Sequence, residues 1–404
     1  MSNVSSSNSQ GELVPELRFP EFSGEWKKKY VENFCKIQTG SGNTQDKESE
    51  GTYPFFVRSP VVEHSNKYIF DCEAVLTVGD GVGTGKVYHY INGKFNCHQR
   101  VYAMTNFEKS VCARYFFYHF QKIFPRQVFA MSAKTSVDSI RRNMIAQLNM
   151  ALPSINEQKK ITQFFTLIDS RIEKQNQLVN VLKSYKRGLL ARLFPKKGDT
   201  VPELRFKEFT ADWERRKLSD ICERVTRKNK NSESDLPLTI SSQYGLIDQR
   251  DFFNKVVAAK DMSNYYLLQN GEYAYNKSYS NGYDYGSIKR LNAYEQGCLS
   301  TLYICFSLES SDVDSDYLEC FFDTLQWYGD VSMICAEGAR NHGLLNVDTK
   351  AFFTDVRINM PINIEEQRQI SQYSNTLDTL IALHQEKCEM YAKIKNVLFK
   401  KMFI

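Results

Sequence analysis

Apolar residues recur at alternating four- and three-residue intervals along two long stretches, Pro153–Leu193 and Pro361–Met402. In the first the repeating positions are Ile161, Phe165, Ile168, Ile172, Gln175, Val179, Leu182, Lys186, Leu189 and Leu193. In the second they are Ile370, Ser374, Leu377, Ile381, His384, Cys388, Tyr391, Lys395, Leu398 and Met402. A mean spacing of 3.5 residues keeps one seam facing a partner helix. Each stretch predicts a rod of roughly 50 Å for about 33 residues. One rod cannot bury its own stripe, whereas two in one chain can bury each other's. Aligning Glu157-Gln158 with Glu366-Gln367, at an offset of 209 residues, makes the polar breaks coincide: Gln175 with His384, and Lys186 with Lys395. Polar residues inside a seam fix register at some cost in stability.

A second phrase is also repeated. Gly11–Ile37 matches Gly198–Val225 at an offset of 187, pairing Val14 with Val201, Phe19 with Phe206, Phe22 with Phe209, Trp26 with Trp213 and Cys35 with Cys222. The shared Pro-Glu-Leu-Arg-Phe piece reads as extended, the Trp as opening a short helix, and the aromatics as core. The chain is therefore cassette, variable block, long helix, then the same again. The variable blocks run from about Gly40 to Leu152 and from about Arg227 to Met360. The expected division is a disordered tail over 1–12, a first domain with its cassette over 13–152, and a first long helix over 153–194. A linker, second cassette and second domain follow over 195–360, then a second long helix over 361–404. Pro195 stops the first rod.

The first block reads as β structure. Tyr68–Asp80 holds a strand, and Gly81–Thr105 reads as loop, strand, Asn-Gly hairpin and strand. Ala113–Phe124 reads as an aromatic-rich helix. The glycine loop is not a nucleotide-binding P-loop: Asp80 stands where the first Gly belongs, and Val87 where Ser or Thr belongs. From Lys86 to Arg142 there are ten basic residues against two acids, Glu108 and Asp138. That excess suits phosphate contact. The second block holds seven tyrosines between Tyr265 and Tyr285, readable as sheet or as ligand-stacking loop. Ser287–Phe306 reads as two strands around a turn. Arg340, Asn341 and His342 then lie between glycines, and Arg and Asn are the side chains that read G and A bidentately.

Composition narrows the class. At 404 residues, with 27 Phe and 23 Tyr, there is material for more than one core. The net charge of +5 permits nucleic-acid binding without demanding it. Ten scattered cysteines form neither C-x-x-C nor a zinc spacing, as expected of reduced thiols in a cytoplasmic protein. The start, MSNVSSSNSQ, is polar and lacks the features of a signal peptide, and no apolar run is long enough to span a membrane. Methyltransferase, helicase, nuclease and hydrolase motifs are all missing, so no catalytic set can be nominated.

The paired cassettes, paired Pro-x-x-x-Glu-Gln starts, heptad rods and glycine loops at Gly79–Gly85 and Asn281–Gly286 together resemble the specificity (S) subunit of type I restriction-modification enzymes. The resemblance covers nearly the whole chain. It implies an α+β fold with a pseudo-two-fold internal repeat: two globular target recognition domains joined by two long helices paired as an antiparallel coiled coil. Each domain would read one half of an asymmetric bipartite DNA site, and the coiled coil would set the spacing. A rod of that length corresponds to roughly one to one and a half duplex turns at about 34 Å per turn. Two modification (M) subunits carrying S-adenosylmethionine would methylate adenine, and restriction (R) subunits would add ATP- and Mg2+-dependent translocation and cleavage. The chain itself would have no cofactor, no metal and no catalytic residue. Candidate DNA-contacting residues are Lys86, Lys94, His98, Gln99, Arg100, Lys134 and Arg141 in the first block. In the second they are Lys277, Tyr279, Tyr283, Tyr285, Lys289, Arg340, Asn341 and His342. The rivals are a coiled-coil scaffold for protein partners and an enzyme with an unrecognised site. Exchanging residues 40–152 for the corresponding block of another family member should change one half of the methylated motif and leave the other half intact.

Overall fold

The computed structural model describes residues 13–81, 83–132, 139–241, 245–253, 257–278, 282–341 and 344–404, with backbone alone for 132, 336–341 and 344. Two compact units emerge: Met1–Asn176 with Glu386–Ile404, and Gln177–Gln385. The first unit contains β1 (Lys27–Tyr30), β2 (Lys36–Thr39), β3 (Tyr53–Phe56), β4 (Val62–Ser65), β5 (Phe70–Val78), β6 (Tyr88–Cys97), β7 (Val101–Thr105), α1 (Ala113–Ser132), α2 (Arg142–Ala146) and β8 (Asn149–Leu152). The long helix α3 (Ile155–Leu193) starts there and ends in the second unit. That unit contains β9 (Glu214–Lys217), β10 (Cys222–Arg224), β11 (Leu238–Ser241), β12 (Gly245–Asp248), α4 (Gln249–Phe253), β13 (Tyr266–Gln269), β14 (Tyr273–Asn276) and β15 (Ser287–Arg290). It continues with β16 (Gln296–Leu299), β17 (Ile304–Leu308), α5 (Ser315–Asp323), α6 (Tyr328–Ile334), β18 (Cys335–Asn341), β19 (Leu344–Val347), α7 (Thr349–Asp355) and β20 (Arg357–Met360). The second long helix, α8 (Ile364–Met402), starts there and ends in the first unit.

Both units are built on one frame. The Trp of each cassette leads into a strand, not the expected short helix; a single 3-10 turn follows, at Val31–Asn33 and at Leu218–Asp220. The reason is a partner strand: β1 pairs antiparallel with β8, and β9 with β20, so each cassette is zipped to the strand that precedes a rod. Trp26 and Trp213 are buried, as the core reading requires. Each stands edge-on to a buried tyrosine at 6.2 Å, Tyr115 at 72° and Tyr317 at 71°. Those tyrosines sit in the first turns of α1 and α5, so the repeat reaches into the blocks.

The start of each rod explains the Glu-Gln pair. Glu157 accepts from Arg18 Nε at 2.8 Å and Nη2 at 2.7 Å. Glu366 accepts from Arg205 Nε at 2.8 Å and Nη2 at 2.9 Å. The hydrogen bonds to Glu157 and Glu366 hold both guanidiniums above their usual range. Gln158 donates to the carbonyls of Pro153 and Ser110 and accepts from Cys112 N–H. Gln367 does the same with Pro361, Asp312 and Asp314. One motif thus closes the rod's first turn and ties it to the loop ahead of α1 or α5.

The blocks share more than their sequences suggest. The first has a six-stranded sheet of order β2-β7-β5-β6-β3-β4, and the second a four-stranded sheet of order β10-β17-β14-β15. Cassette strand, last strand before the helix, central strand and its successor take the same places in both. The additions differ: β3 and β4 in one, and the pairs β11-β12 and β13-β16 in the other. The expected Asn-Gly hairpin does not form. Asn92 and Gly93 lie inside β6, opposite Glu73 and Cys72 of β5. The continuous β5 ladder overrides the local turn preference, and β6 runs on to Cys97, after which a short turn at His98–Arg100 leads into β7, itself antiparallel to β5. Likewise Ser287–Phe306 covers three strands, β15, β16 and part of β17, not two. Helix α1 continues beyond Phe124, through Pro125, to Ser132.

Along α3 and α8, 39 residues each, all the seam positions predicted above are buried or half-buried. The lysines in the seam are paired. In the first unit Lys395 meets Asp169 at 2.6 Å, and in the second Lys186 meets Asp378 at 2.7 Å. Asp169 and Asp378 are themselves repeat equivalents. Within the first unit Phe165 packs on Phe399 and Phe403 while Asp169 meets Lys395, so the two helix segments run antiparallel there.

Burial decides which of these contacts are costly to lose. Glu157 is 1% exposed, so Arg18→Ala leaves a buried charge unpaired and should cost about 3–5 kcal/mol, read from urea unfolding. Lys29→Ala, at the exposed Lys29–Glu108 pair, should cost under about 1 kcal/mol. His119 is packed against Trp26, Tyr115 and Phe403, and its Nε2 donates to the backbone oxygen of Ile404. Burial pushes its imidazole down from 6.5 to about 3, so the unfolded chain takes up the proton first on acidification. Stability is therefore lost as pH falls below about 6.5, by about 2 kcal/mol at pH 5. A His119→Gln chain should show a flatter pH dependence of its unfolding midpoint.

Candidate nucleic-acid interface

In the first unit the sheet curls until the end of β6 meets the chain leaving β2. Gly42 N–H donates to Cys97 O at 3.1 Å, and Gln99 N–H donates to Gly42 O at 2.9 Å. Only glycine fits at position 40, where a Cβ would stand 1.9 Å from Cys97 O. This closure gathers the loops after β2, β3, β5 and β6 at one end of the sheet. Gly79 N–H donates to Arg100 O at 2.7 Å, and Ile140 N–H to Gly79 O at 2.6 Å, which adds the segment before α2.

Lys86, Gln99, Arg100 and Arg141 are exposed in this loop cluster. Asp80 stands between two arginines, 3.6 Å from Arg58 Nη1 and 3.7 Å from Arg100 Nε. Its Oδ1 is buried and has no hydrogen-bond partner among the described residues. His98 is buried, and its Nδ1 accepts from Arg100 N–H at 3.0 Å. Burial lowers its imidazole, with Arg58 and Arg100 adding to the shift and Asp80 opposing it. His98 therefore shapes the turn, while its neighbours Gln99 and Arg100 carry the exposed polar groups. Lys94 stands apart: it lies mid-strand opposite Asp71, with its ammonium 4.7 Å from the Tyr68 ring centre. Lys134 lies outside the described residues.

In the second unit the loop after β14 occupies the same topological position as the loop after β5. It closes at Gly286, whose φ is +79°; a Cβ there would lie 2.0 Å from Asn276 O. Tyr275 donates to Tyr285 O at 2.7 Å, and Tyr285 stands against Tyr328 at 5.4 Å, so Tyr285 partly builds the loop. Tyr283 is half-buried in the same loop, and Tyr279 lies outside the described residues. The segment from Gly338 to Val347 falls within a hairpin, with Arg340 opposite Leu345 and Asn341 opposite Leu344. Leu345 N–H donates to Lys277 O at 2.9 Å, which docks that hairpin on the loop. His342 lies outside the described residues, and Arg340 and Asn341 are placed by their backbone.

Lys289 does not join this group. Its ammonium lies 2.7 Å from Asp323, which Lys186 also meets at 3.1 Å. Burial alone would lower Lys289 and Lys186, but the carboxylates outweigh it and hold both ammoniums above the usual range. Lys289 is thus committed to the interior of its unit. Tyr266, Tyr273 and Tyr275 are buried in strands, the sheet reading of the tyrosine cluster. Sequence reasoning missed Arg58 and Asp80, which acquire meaning only when the sheet curls. Among the described residues no group of His, Cys, Asp or Glu could hold a metal ion, and no helix is long and apolar enough to cross a membrane.

Residues 23–184 match the family model of the type I restriction modification DNA specificity domain. The chain is 27% identical over 185 residues to the type I restriction enzyme EcoDI specificity subunit of Escherichia coli, covering 45% of this chain and 40% of that protein. It is 24% identical over 221 residues to the MjaVIII specificity subunit of Methanocaldococcus jannaschii, covering 51% of each. It thus spans about half the length of these curated relatives, or less. The crystal structure of the type I restriction-modification system S subunit from M. genitalium superimposes with a TM-score of 0.64 at 15% identity, covering 97% of this chain and 99% of that one. A repeated frame around two loop-bearing sheets is thus similar in sequence, over residues 23–184, to the type I restriction modification DNA specificity domain, and similar in fold over 97% of its length to a solved S subunit.

Proposed function

We propose that the chain selects the DNA sequence on which a type I restriction-modification complex acts. Each unit reads one half of a bipartite site, and α3 and α8 pair as an antiparallel coiled coil that sets the spacing. The observation that carries this reading is the repetition of one frame around two different loop sets. The Arg-Glu clamp, the Gln clamp, the Trp-Tyr stack and the seam Lys-Asp pair all occur twice. The loops they present differ in length, charge and sequence. A structural protein has little use for two unlike faces on one frame, whereas an asymmetric target needs them. Exposed Arg and Lys at the loop ends suit phosphates, and Gln99, Arg100, Arg340 and Asn341 are of types that read base edges in the major groove.

Docking of methyltransferase subunits is supported by a second stripe on α8. Tyr373, Leu380, Leu383, Met390, Ile394 and Val397 are exposed, at 37–56%, beside the buried seam. Their heptad-related spacing suits a partner helix. Methyl transfer and cleavage are assigned to those partners and their cofactors, the chain itself supplying recognition.

The test is methylation mapping by single-molecule sequencing in cells expressing the chain with its cognate modification subunit. A split, asymmetric motif that vanishes on deletion of this chain is the expected outcome. Arg340→Ala should loosen the second half of the motif only. Partner binding with no motif, and with no salt-dependent DNA affinity, would replace this reading with the scaffold.

A further inference from the structure

Two cations converge on one buried tyrosine of the second unit, Tyr266, and a third, Lys277, starts the loop after β14. Tyr266, 7% exposed, begins β13. Arg224, at the end of β10, donates from Nη2 to the Tyr266 hydroxyl at 3.2 Å. Lys228 carries its Nζ 3.5 Å from the centre of the Tyr266 ring, and its backbone bridges to the same residue. Lys277 follows β14 and is half-buried. Burial lowers its ammonium; the Tyr266 side chain opposes that shift, and the Arg224 guanidinium adds to it.

Among the described residues none of these three cations has a carboxylate partner, although the neighbouring Arg227 is paired with Glu272 at 2.7 Å. Gathering like charges with no counter-ion is unfavourable, and an anion seated among them relieves it. Tyr266 holds two of the cations in place through its hydroxyl and its face. Rigid Arg and Lys groups of this kind suit the oxygens of a phosphodiester. The site is also tied to the hairpin β18-β19, because Lys277 supplies the carbonyl that accepts Leu345 N–H.

We propose that Arg224, Lys228 and Lys277 form a clamp for backbone phosphates of duplex DNA, and that this clamp sets the hairpin β18-β19 against the bases. The clamp rests on the DNA-recognition reading and adds a division of labour within the second unit. Phosphate contacts fix register and orientation, and base contacts specify. The clamp residues therefore govern affinity for any sequence.

The experiment measures binding of the full chain, with its modification subunit, to two duplexes of unrelated sequence across a salt series. For the parent chain log affinity should fall steeply with log salt. In a chain carrying Arg224→Gln, Lys228→Gln and Lys277→Gln the slope should become shallower by about 2–3, at roughly 0.9 per lost phosphate contact, and equally for both duplexes. Lys277→Gln alone should lower it by about 1, which keeps the test open if the triple variant does not fold. An unchanged slope in either folded variant overturns the clamp, as does an altered methylation motif at unchanged slope. A parent chain with no salt-dependent binding instead removes the recognition reading on which the clamp rests.

Discussion

The fold depends on a carboxylate that has been taken out of water. Glu157 and Glu366 are almost completely buried at the first turns of the two rods, and each is held bidentately by an arginine from the cassette. Such a pair adds little net stability over an apolar contact but is very costly to break. Its value here is geometric. A guanidinium fork accepts a carboxylate in few orientations, so the rod can leave its block in few directions. The glutamine that follows extends the constraint to the loop before α1 or α5, and the Trp-Tyr stack carries it into the core. The two copies differ at the tryptophan. Trp213 Nε1 donates to Glu366, whereas Trp26 Nε1 is buried with no hydrogen-bond partner among the described residues.

Everything that varies is hung from this frame where variation costs least. Four strands keep their order in both blocks, and the hydrogen-bonded ladder satisfies their backbone whatever the side chains are. The loops that leave those strands are bound by no such rule. Their glycines mark the points where the backbone passes too close for a side chain, at Gly40 against Cys97 and at Gly286 against Asn276. Between those points the loops can change composition without disturbing the clamp. The proposed reading of two unlike half-sites would need that separation of a fixed frame from free loops.

The rods were legible in the sequence because a heptad is a local pattern, and its 4-3 positions between Ile161 and Leu193 and between Ile370 and Met402 are buried or half-buried. The repeat inside the blocks was not. The cassettes match at an offset of 187 and the rods at 209, while Tyr115 and Tyr317 stand 202 apart, so no single alignment displays all three. Asn92-Gly93 misled because turn preference is weak against a full antiparallel ladder on β5. Lys289 misled for the opposite reason. Its partner Asp323 lies 34 residues further on, and nothing local announces it. Arg58, Arg100 and Asp80 come together only through the curl of the sheet, a non-local event.

The seam lysines show how one frame can be tuned to two blocks. An apolar residue at position 186 or 395 would pack more tightly but would tolerate a slip of one heptad. A lysine matched to an aspartate on the other helix does not, since a slip leaves two charges unpaired in the seam. Each block then adds its own hold on the same pair. In the first unit Tyr118 of α1 donates to Asp169 at 2.6 Å, and the lysine lies near its ring. In the second unit Asp323 of α5 meets Lys186 directly and brings Lys289 with it. A neutral donor reinforces the carboxylate in one unit, and a second carboxylate reinforces the ammonium in the other. The block helix thus holds the register of the rods by different chemistry in the two units, so one rod pairing is kept under two unlike blocks.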